Sequence, residues 1–236
     1  MSLTLYAPKS HVNAGMKVEL VARFLEVPLE FTRIPFSELK TPDYLKKNPL
    51  GKIPTLETPE GCIFESMAIV RYLARRAGKM YGTTAAETAQ VDQWFEFFNT
   101  QLYSCLMPIV IATFGYRPVT KEQYDEARKS LLEMLKGMDA HLKNNQFLAT
   151  KDFTLADVVI AAGLRYVFCL CLDESSRSQI PNVTNWFVKT MEHPINIEFF
   201  GRTWLCQKEC LPNFEFLKNI QTAPKKEEKK KEAPKK

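Results

Sequence analysis

The sequence predicts a small α/β domain followed by an all-helical one. Strand and helix signals alternate through about the first 80 residues and strand signals vanish beyond Gly82. Downstream, three threonines each stand three residues before an acid or amide, the spacing that marks a helix start. The expected division is residues 1–80, 85–218, and a charged linker over 219–236.

Taken in order, Leu3-Thr4-Leu5-Tyr6 is short, apolar and β-prone, and Lys17 to Leu25 places Val18, Val21, Ala22 and Leu25 at helical spacing. Leu29 to Ile34 alternates as a strand does. Strand, helix, strand with a short turn at Glu26-Val27-Pro28 predicts a right-handed βαβ unit with parallel strands. After a loop containing Thr41-Pro42, Thr55-Leu56-Glu57 and Cys62-Ile63-Phe64 read as strands joined by the turn Thr58-Pro59-Glu60-Gly61. Ser66 is then expected to cap a helix whose Met67, Val70, Leu73, Ala74 and Ala77 share one stripe.

Thr84 with Glu87 and Thr120 with Gln123 fit the capping box, in which each side chain satisfies the other residue's free backbone N–H; Thr154 with Asp157 is its aspartate variant. The first helix carries Trp94, Phe95, Phe97, Phe98 and Leu102 towards Pro108. The second has Tyr124, Ala127, Leu131, Leu135, Met138 and Leu142 at spacings of three and four. The third, Leu155 to about Leu172, is apolar nearly all round, which marks a central buried helix. A further helix around Asn182 to Met191 follows Pro181, with Pro194 as its stop.

Composition bounds the function classes. With 45% hydrophobic and 11% aromatic residues in 236, a purely disordered chain is excluded. The longest apolar stretch, Val158 to Leu172, is interrupted by Arg165 and falls short of the roughly 20 residues of a bilayer span. The start lacks the basic segment and apolar run of a signal peptide, so a cytoplasmic protein without a transmembrane segment is expected. The net charge of +5 is mostly a property of the tail, where seven lysines against three glutamates in 224–236 leave a surplus of four. The rest is nearly neutral. This Pro/Lys/Glu/Ala run reads as a solvated linker towards a further domain, with a weak RNA contact as the other reading. The six cysteines (62, 105, 169, 171, 206, 210) form no Cys-x₂-Cys pair and the three histidines do not cluster with them, so no metal site is expected and reduced thiols are.

Two segments point to a ligand. In Asn48-Pro49-Leu50-Gly51-Lys52-Ile53-Pro54-Thr55-Leu56, proline stands just before a short strand, and Ile53-Pro54 is a candidate for a cis turn that exposes backbone N–H and C=O. Eleven residues on, Phe64-Glu65-Ser66 ends a strand and opens a helix. Ser66 and the free N–H groups there suit a carboxylate, while Glu65 suits an ammonium, so one site could hold both charges of an amino acid. Lys52 as a solvated turn lysine and Ser66 as a helix cap alone are the alternatives.

These segments together, with Met67-Ala68-Ile69-Val70-Arg71-Tyr72-Leu73 and Thr154-Leu155-Ala156-Asp157, resemble the glutathione S-transferase family over about residues 3–215. The resemblance implies a thioredoxin-like first domain, a helical second domain and a homodimer. It implies glutathione as ligand, with Lys52 at its glycine carboxylate, the Ile53 backbone paired to the tripeptide beside cis Pro54, and Glu65 and Ser66 on the γ-glutamyl end. A transferase also needs a hydroxyl or thiol near the end of the first strand that lowers the pKa of the glutathione sulfur. Ser10 is the first candidate, with Tyr6, His11 and Asn13 as alternatives; for Tyr6 an aromatic of the core strand is the plainer reading. The family's catalytic serine is normally followed four or five residues later by arginine, but Ala14 and Gly15 stand here. Two outcomes therefore stay open: an active transferase, or a retained fold with weak or lost thiol chemistry.

A narrower set, Gly51 to Glu57, Cys62 to Ile69, Gln90 to Trp94, Thr154 to Val158 and Pro181 to Phe187, resembles the transferase-like domain found in a subunit of the translation elongation factor 1 complex. That resemblance implies a scaffold that anchors the nucleotide-exchange subunit of the beta/delta type and, through it, the aminoacyl-tRNA carrier GTPase.

Overall fold

The computed structural model describes residues 2–8 and 13–217. The calls on Ser10 and His11, the side chain of Asn13, and the linker over 219–236 lie outside the described residues.

The first unit runs β1 (Thr4–Pro8), α1 (Asn13–Leu25), β2 (Glu30–Ile34), a single 3₁₀ turn (Phe36–Glu38), α2 (Pro42–Lys47), β3 (Thr55–Thr58), β4 (Gly61–Phe64) and α3 (Ser66–Ala77). The sheet order is β2-β1-β3-β4. β1 and β2 are parallel, as the short βαβ connection requires, and β3 and β4 form an antiparallel hairpin. Its turn is fixed locally: the Thr58 hydroxyl donates to the Gly61 carbonyl at 2.8 Å and accepts from the Glu60 N–H at 3.1 Å.

Alternation along β1 decides what lies on each face of the sheet. Leu3, Leu5 and Ala7 join Leu56, the apolar stripe of α1 and Met67, Ile69, Val70 and Leu73 of α3 in the main core. Tyr6 points the other way, against Ile34, Leu39, Tyr44 and Ile53. Burying each Leu, Ile or Val of the larger layer is worth about 1.5–3 kcal/mol, which makes the α1/α3 face the stabilising one.

The second unit is helical: α4 (Ala85–Phe97), a π-helical turn (Phe98–Leu102), α5 (Tyr103–Phe114), α6 (Lys121–Leu142), α7 (Leu155–Leu170), α8 (Glu174–Arg177), α9 (Pro181–Met191) and α10 (Pro194–Phe200). Both capping boxes form, with Glu87 N–H on the Thr84 hydroxyl at 3.1 Å and Gln123 N–H on that of Thr120 at 3.2 Å. α7 is the central helix, with Val158, Val159, Ile160, Ala161, Leu164, Val167 and Phe168 all fully buried. Phe168 stacks on Phe187 of α9 at 4.0 Å between ring centres. The main core continues from the sheet unit into α7 without a break. All six cysteines are free thiols.

Two helix ends differ from expectation. Ser66 is the first helical residue rather than the cap: Glu65 holds the cap position, at φ 68°, and its side chain makes no capping bond. Pro108 does not end the first helix. Its missing N–H costs only the bond to the Ser104 carbonyl, and the chain continues as α5 to Gly115, whose φ of 68° stops it. Pro194 meets the expectation: α9 ends at Met191 with Glu192 as its C-cap, two residues before a proline that cannot continue the helix, and as the first residue of α10 Pro194 gives up an N–H that has no helical partner in any case.

From Ala85 to Phe114 the chain is a 30-residue helical run, long and apolar enough to cross a membrane by length and composition. In the fold it is a wall of the bundle. Val91, Phe95, Phe98, Leu102, Leu106 and Ile109 face the core, and Asp92 and Glu96 take the Arg71 guanidinium of α3, the Asp92 bond measuring 2.6 Å.

Candidate functional site

Register brings the candidate segments to one end of the sheet. Tyr6 of β1 lies opposite Thr55 of β3, and Thr55 lies opposite Phe64 of β4. The end of β1, the Ile53-Pro54 turn and the Glu65-Ser66 junction are therefore neighbours. The Ile53-Pro54 peptide is cis.

The turn before β3 is held by two side chains to which sequence reasoning gave no role. The carbonyl of Lys52 accepts from the Tyr44 hydroxyl and from Asn48 Nδ2, both at 2.8 Å. Asn48 is buried, and its Oδ1 also takes the Leu50 N–H at 3.0 Å. Gly51 sits at φ 57°, and a Cβ there would meet the Leu39 carbonyl at 2.5 Å, so the turn needs glycine at this position. The Lys52 side chain is left exposed, Ile53 packs under the turn, and Pro54 is buried.

At the head of α3, Glu65 is held in the left-handed region, a conformation that costs a non-glycine residue of order 1–3 kcal/mol and that clusters at ligand sites. Its carbonyl takes the Ile69 N–H at 3.0 Å and so begins the helix. Glu65 is exposed and Ser66 half-buried, and both line a cavity of about 540 Å³ between the two units. Lys52, Ile53 and Pro54 are not among its walls.

The cavity is closed by side chains of both units, including Lys17 of α1, Arg71 of α3, Phe98 of the π-helical turn and Arg165 of α7. Phe98 lies against Gly163, where a Cβ would come within 2.3 Å of the ring edge, so α7 carries glycine at the closest approach. The Lys17 ammonium is half-buried, 3.7 Å from Met67 Sδ and 4.7 Å from the centre of the Phe98 ring, and burial lowers its pKa to about 8. None of these three cations was singled out from the sequence as a site residue. Arg165 had a signal, as the lone charge within the apolar run of α7; Lys17, on the edge of an ordinary amphipathic stripe, had none.

Tyr6 is not part of this arrangement. Its hydroxyl donates to Glu57 Oε2 at 2.7 Å, its ring meets Tyr44 edge-on, and the Lys47 ammonium stands 5.1 Å from the ring centre. Burial, followed by the bond to Glu57, raises its pKa. Tyr6 is thus an aromatic of the core strand, on the face away from the cavity. Asn13 opens α1 at the cavity end.

The model of the glutathione S-transferase N-terminal domain matches residues 1–75 and that of the C-terminal domain matches residues 102–194, together more than two thirds of the chain. The chain belongs to the glutathione S-transferase family. Within the family it is similar to elongation factor 1-gamma proteins. A probable elongation factor 1-gamma 1 from Arabidopsis thaliana is 33% identical over 240 residues, which is 99% of this chain and 57% of that protein. Elongation factor 1-gamma-A from Xenopus laevis is 35% identical over 189 residues, 80% of this chain and 42% of that protein. The chain thus spans about half the length of the relatives it matches. Among solved structures, glutathione S-transferase-I bound with lactoylglutathione superposes with a TM-score of 0.75 at 25% identity, covering 84% of this chain and 98% of that one. The transferase-like domain of elongation factor 1-gamma from Saccharomyces cerevisiae has a TM-score of 0.73 at 22% identity, covering 89% and 98%, a likeness of fold.

Proposed function

We propose that this chain is the transferase-like part of a translation elongation factor 1 subunit of the gamma type, and that its work is to hold the nucleotide-exchange subunit of the beta/delta type, and through it the aminoacyl-tRNA carrier GTPase, in one assembly. The observation that carries the reading is the relatedness to the Arabidopsis elongation factor 1-gamma protein, which runs through 99% of the chain. A binding role of this kind needs the two-unit fold and its surface, and makes no demand on a thiol-activating side chain. The measurement is co-purification of the exchange subunit with the protein and with a form lacking residues 1–217. Loss of the exchange subunit from the shortened form is expected; equal assembly with both forms would end this reading.

A glutathione frame at the head of α3 is part of the same proposal. Glu65 in its strained cap position and Ser66 beside it support recognition of an amino acid's two charges, and the Lys52 to Pro54 turn stands at the same sheet end. Conjugation of a thiol to electrophiles is the lesser reading, since the relatives' names point to translation.

A further inference from the structure

The glutathione frame gives no role to the segment Pro181 to Phe187, one of those that carry the narrower resemblance. In the fold this segment opens α9, where Asn182, Asn185, Trp186 and Lys189 share one side of the helix through spacings of three and four. That side walls a second cavity, of about 470 Å³, whose lining residues all belong to the helical unit. Asn145 and Phe147 from the loop after α6, Phe153 before α7, and His193 after α9 close it.

Its apolar side is built of rings. Phe147 meets Phe153 edge-on at 5.6 Å between centres, Phe153 lies parallel to His193 at 5.8 Å, and Phe24 backs His193 at 4.7 Å. Phe147 and Phe153 are half-buried, so part of each ring is left for a flat ligand to cover.

Bonds within the protein fix what the polar groups still present. Asn145 Nδ2 donates to the His141 carbonyl and Asn182 Nδ2 to Asp139 Oδ2, both at 2.9 Å, which leaves each amide oxygen as an acceptor. His193 Nδ1 accepts from the Ile195 N–H at 3.3 Å, so the ring proton sits on Nε2, a donor without an acceptor among the described residues. Burial lowers the His193 pKa and keeps this tautomer neutral. The Trp186 indole N–H is already engaged by Asp157, whereas Asn185 is exposed with its amide unbonded among the described residues. Lys189 is the one charged side chain among the described residues of the wall, and it forms no ion pair with them.

Two fixed acceptors call for N–H groups, a fixed donor for a ring nitrogen, the rings for a flat face and the lone cation for an anion. An aliphatic acid meets only the last demand and a neutral aromatic only the third. An adenine nucleotide meets all four. Its amino group brings two N–H to the two amide oxygens, where guanine would bring three, and stacking on aromatic side chains is a common mode of base recognition. Cavities of this size hold organic molecules of that bulk.

We infer that this second cavity binds an adenine nucleotide, free or as a unit of RNA, with its base on Phe147 and Phe153, its edge on Asn145, Asn182, Asn185 and His193, and its phosphate on Lys189. This goes beyond the scaffold reading and does not rest on it: failure of assembly leaves it standing, and failure of nucleotide binding leaves assembly standing.

The test is calorimetric titration of the protein with adenosine monophosphate, inosine monophosphate and adenosine. One site per chain is expected. Adenosine monophosphate should be favoured about tenfold over inosine monophosphate, which lacks the amino group, and about tenfold over adenosine, which lacks the anion. Lys189→Met should remove the second preference and leave the affinity for adenosine in place. Asn185→Trp, which fills the cavity from an exposed position of α9, should weaken all three. No binding of adenosine monophosphate, equal affinity for the inosine nucleotide, a preference over adenosine that survives Lys189→Met, or binding untouched by Asn185→Trp would each overturn the inference. A short oligoadenylate separates the sources: binding tighter than the mononucleotide and lost in Asn185→Trp assigns the site to RNA, and binding no tighter assigns it to the free nucleotide. Thermal unfolding of both variants separates a lost site from a lost fold.

Discussion

Along α7, two regions of one helix treat buried charge in opposite ways. In its first turn the Asp157 carboxylate, fully buried, accepts from the Thr154 N–H at 3.0 Å, the Leu148 N–H at 2.9 Å, the Trp186 indole N–H at 2.8 Å and the Thr154 hydroxyl at 3.2 Å. Two turns further on, Arg165 stacks on aromatic rings with its Nε unpaired among the described residues, and Lys17 lines the same cavity with no carboxylate of the described residues paired to it. A charge with all its partners fixes a fold, whereas a charge without them is kept at a cost in stability and marks a place where something else binds. The carboxylate ties the loop before α7 to α9. Of the cations, Arg165 reaches only the Phe200 carbonyl, at 3.4 Å, and Lys17 only a thioether sulfur and a ring among the described residues.

The contrast is broken first at its stronger end. Asp157→Ala leaves the indole and two backbone N–H groups buried without an acceptor, so a loss of about 3–5 kcal/mol is expected, read as a fall in the midpoint of urea unfolding. A change below about 1 kcal/mol would mean that the helix start is held by packing alone.

At the weaker end the sign reverses. Lys17→Met should raise stability at pH 7, by about 1–3 kcal/mol, because it removes a cation that burial disfavours. The pH dependence follows from the same shift. The folded pKa is about 8 against 10.5 for the free side chain, so between those values the unfolded chain holds a proton that the folded chain has released. Stability of the parent therefore rises with pH across this window, and the gap to Lys17→Met closes. Denaturation of both proteins from pH 7 to 10 measures it; a constant gap would show that Lys17 is hydrated and not strained.

The two regions also differed in how far the sequence disclosed them. Asp157 was legible because Thr154 stands three residues before it, a local spacing with one physical meaning. The βαβ unit and the hairpin were legible for the same reason, since turn chemistry is written in neighbouring residues; the start of α3 was legible only to within one residue, because Glu65 and not Ser66 takes the cap position. The cavity was not. Lys17, Phe98 and Arg165 lie on α1, the π-helical turn and α7, and they meet only because the two units share one core. Nor did proline spacing reveal that the run from Ala85 continues past Pro108, since a helix held by burial on both sides of a proline tolerates one missing bond. Tyr6 could be read either way until the parity of β1 placed it on the face away from the cavity.

The smallest expected effect sharpens the rule by testing its exposed limit. On that outer face both oxygens of Glu57 are partnered, as both of Asp157 are: the Tyr6 hydroxyl on one and Lys47 on the other, each at 2.7 Å. Yet its side chain is 40% exposed, so water competes for both contacts. The bond from Lys47 and then that from Tyr6 hold its pKa below the ordinary glutamate value. A depressed carboxylate contributes stability above its unfolded pKa and loses it as pH falls through the folded one, so Glu57→Gln should matter at neutral pH and cease to matter in acid. Screening keeps the neutral-pH cost under about 1 kcal/mol. Comparing the variant with the parent at pH 7 and pH 3 decides it. A cost near that of Asp157→Ala would show that having both oxygens partnered, and not burial, sets the value of a charge. A small, acid-labile cost means that partners fix a fold only where water is kept out, which is the condition that Asp157 meets and that makes the unpaired Lys17 and Arg165 informative.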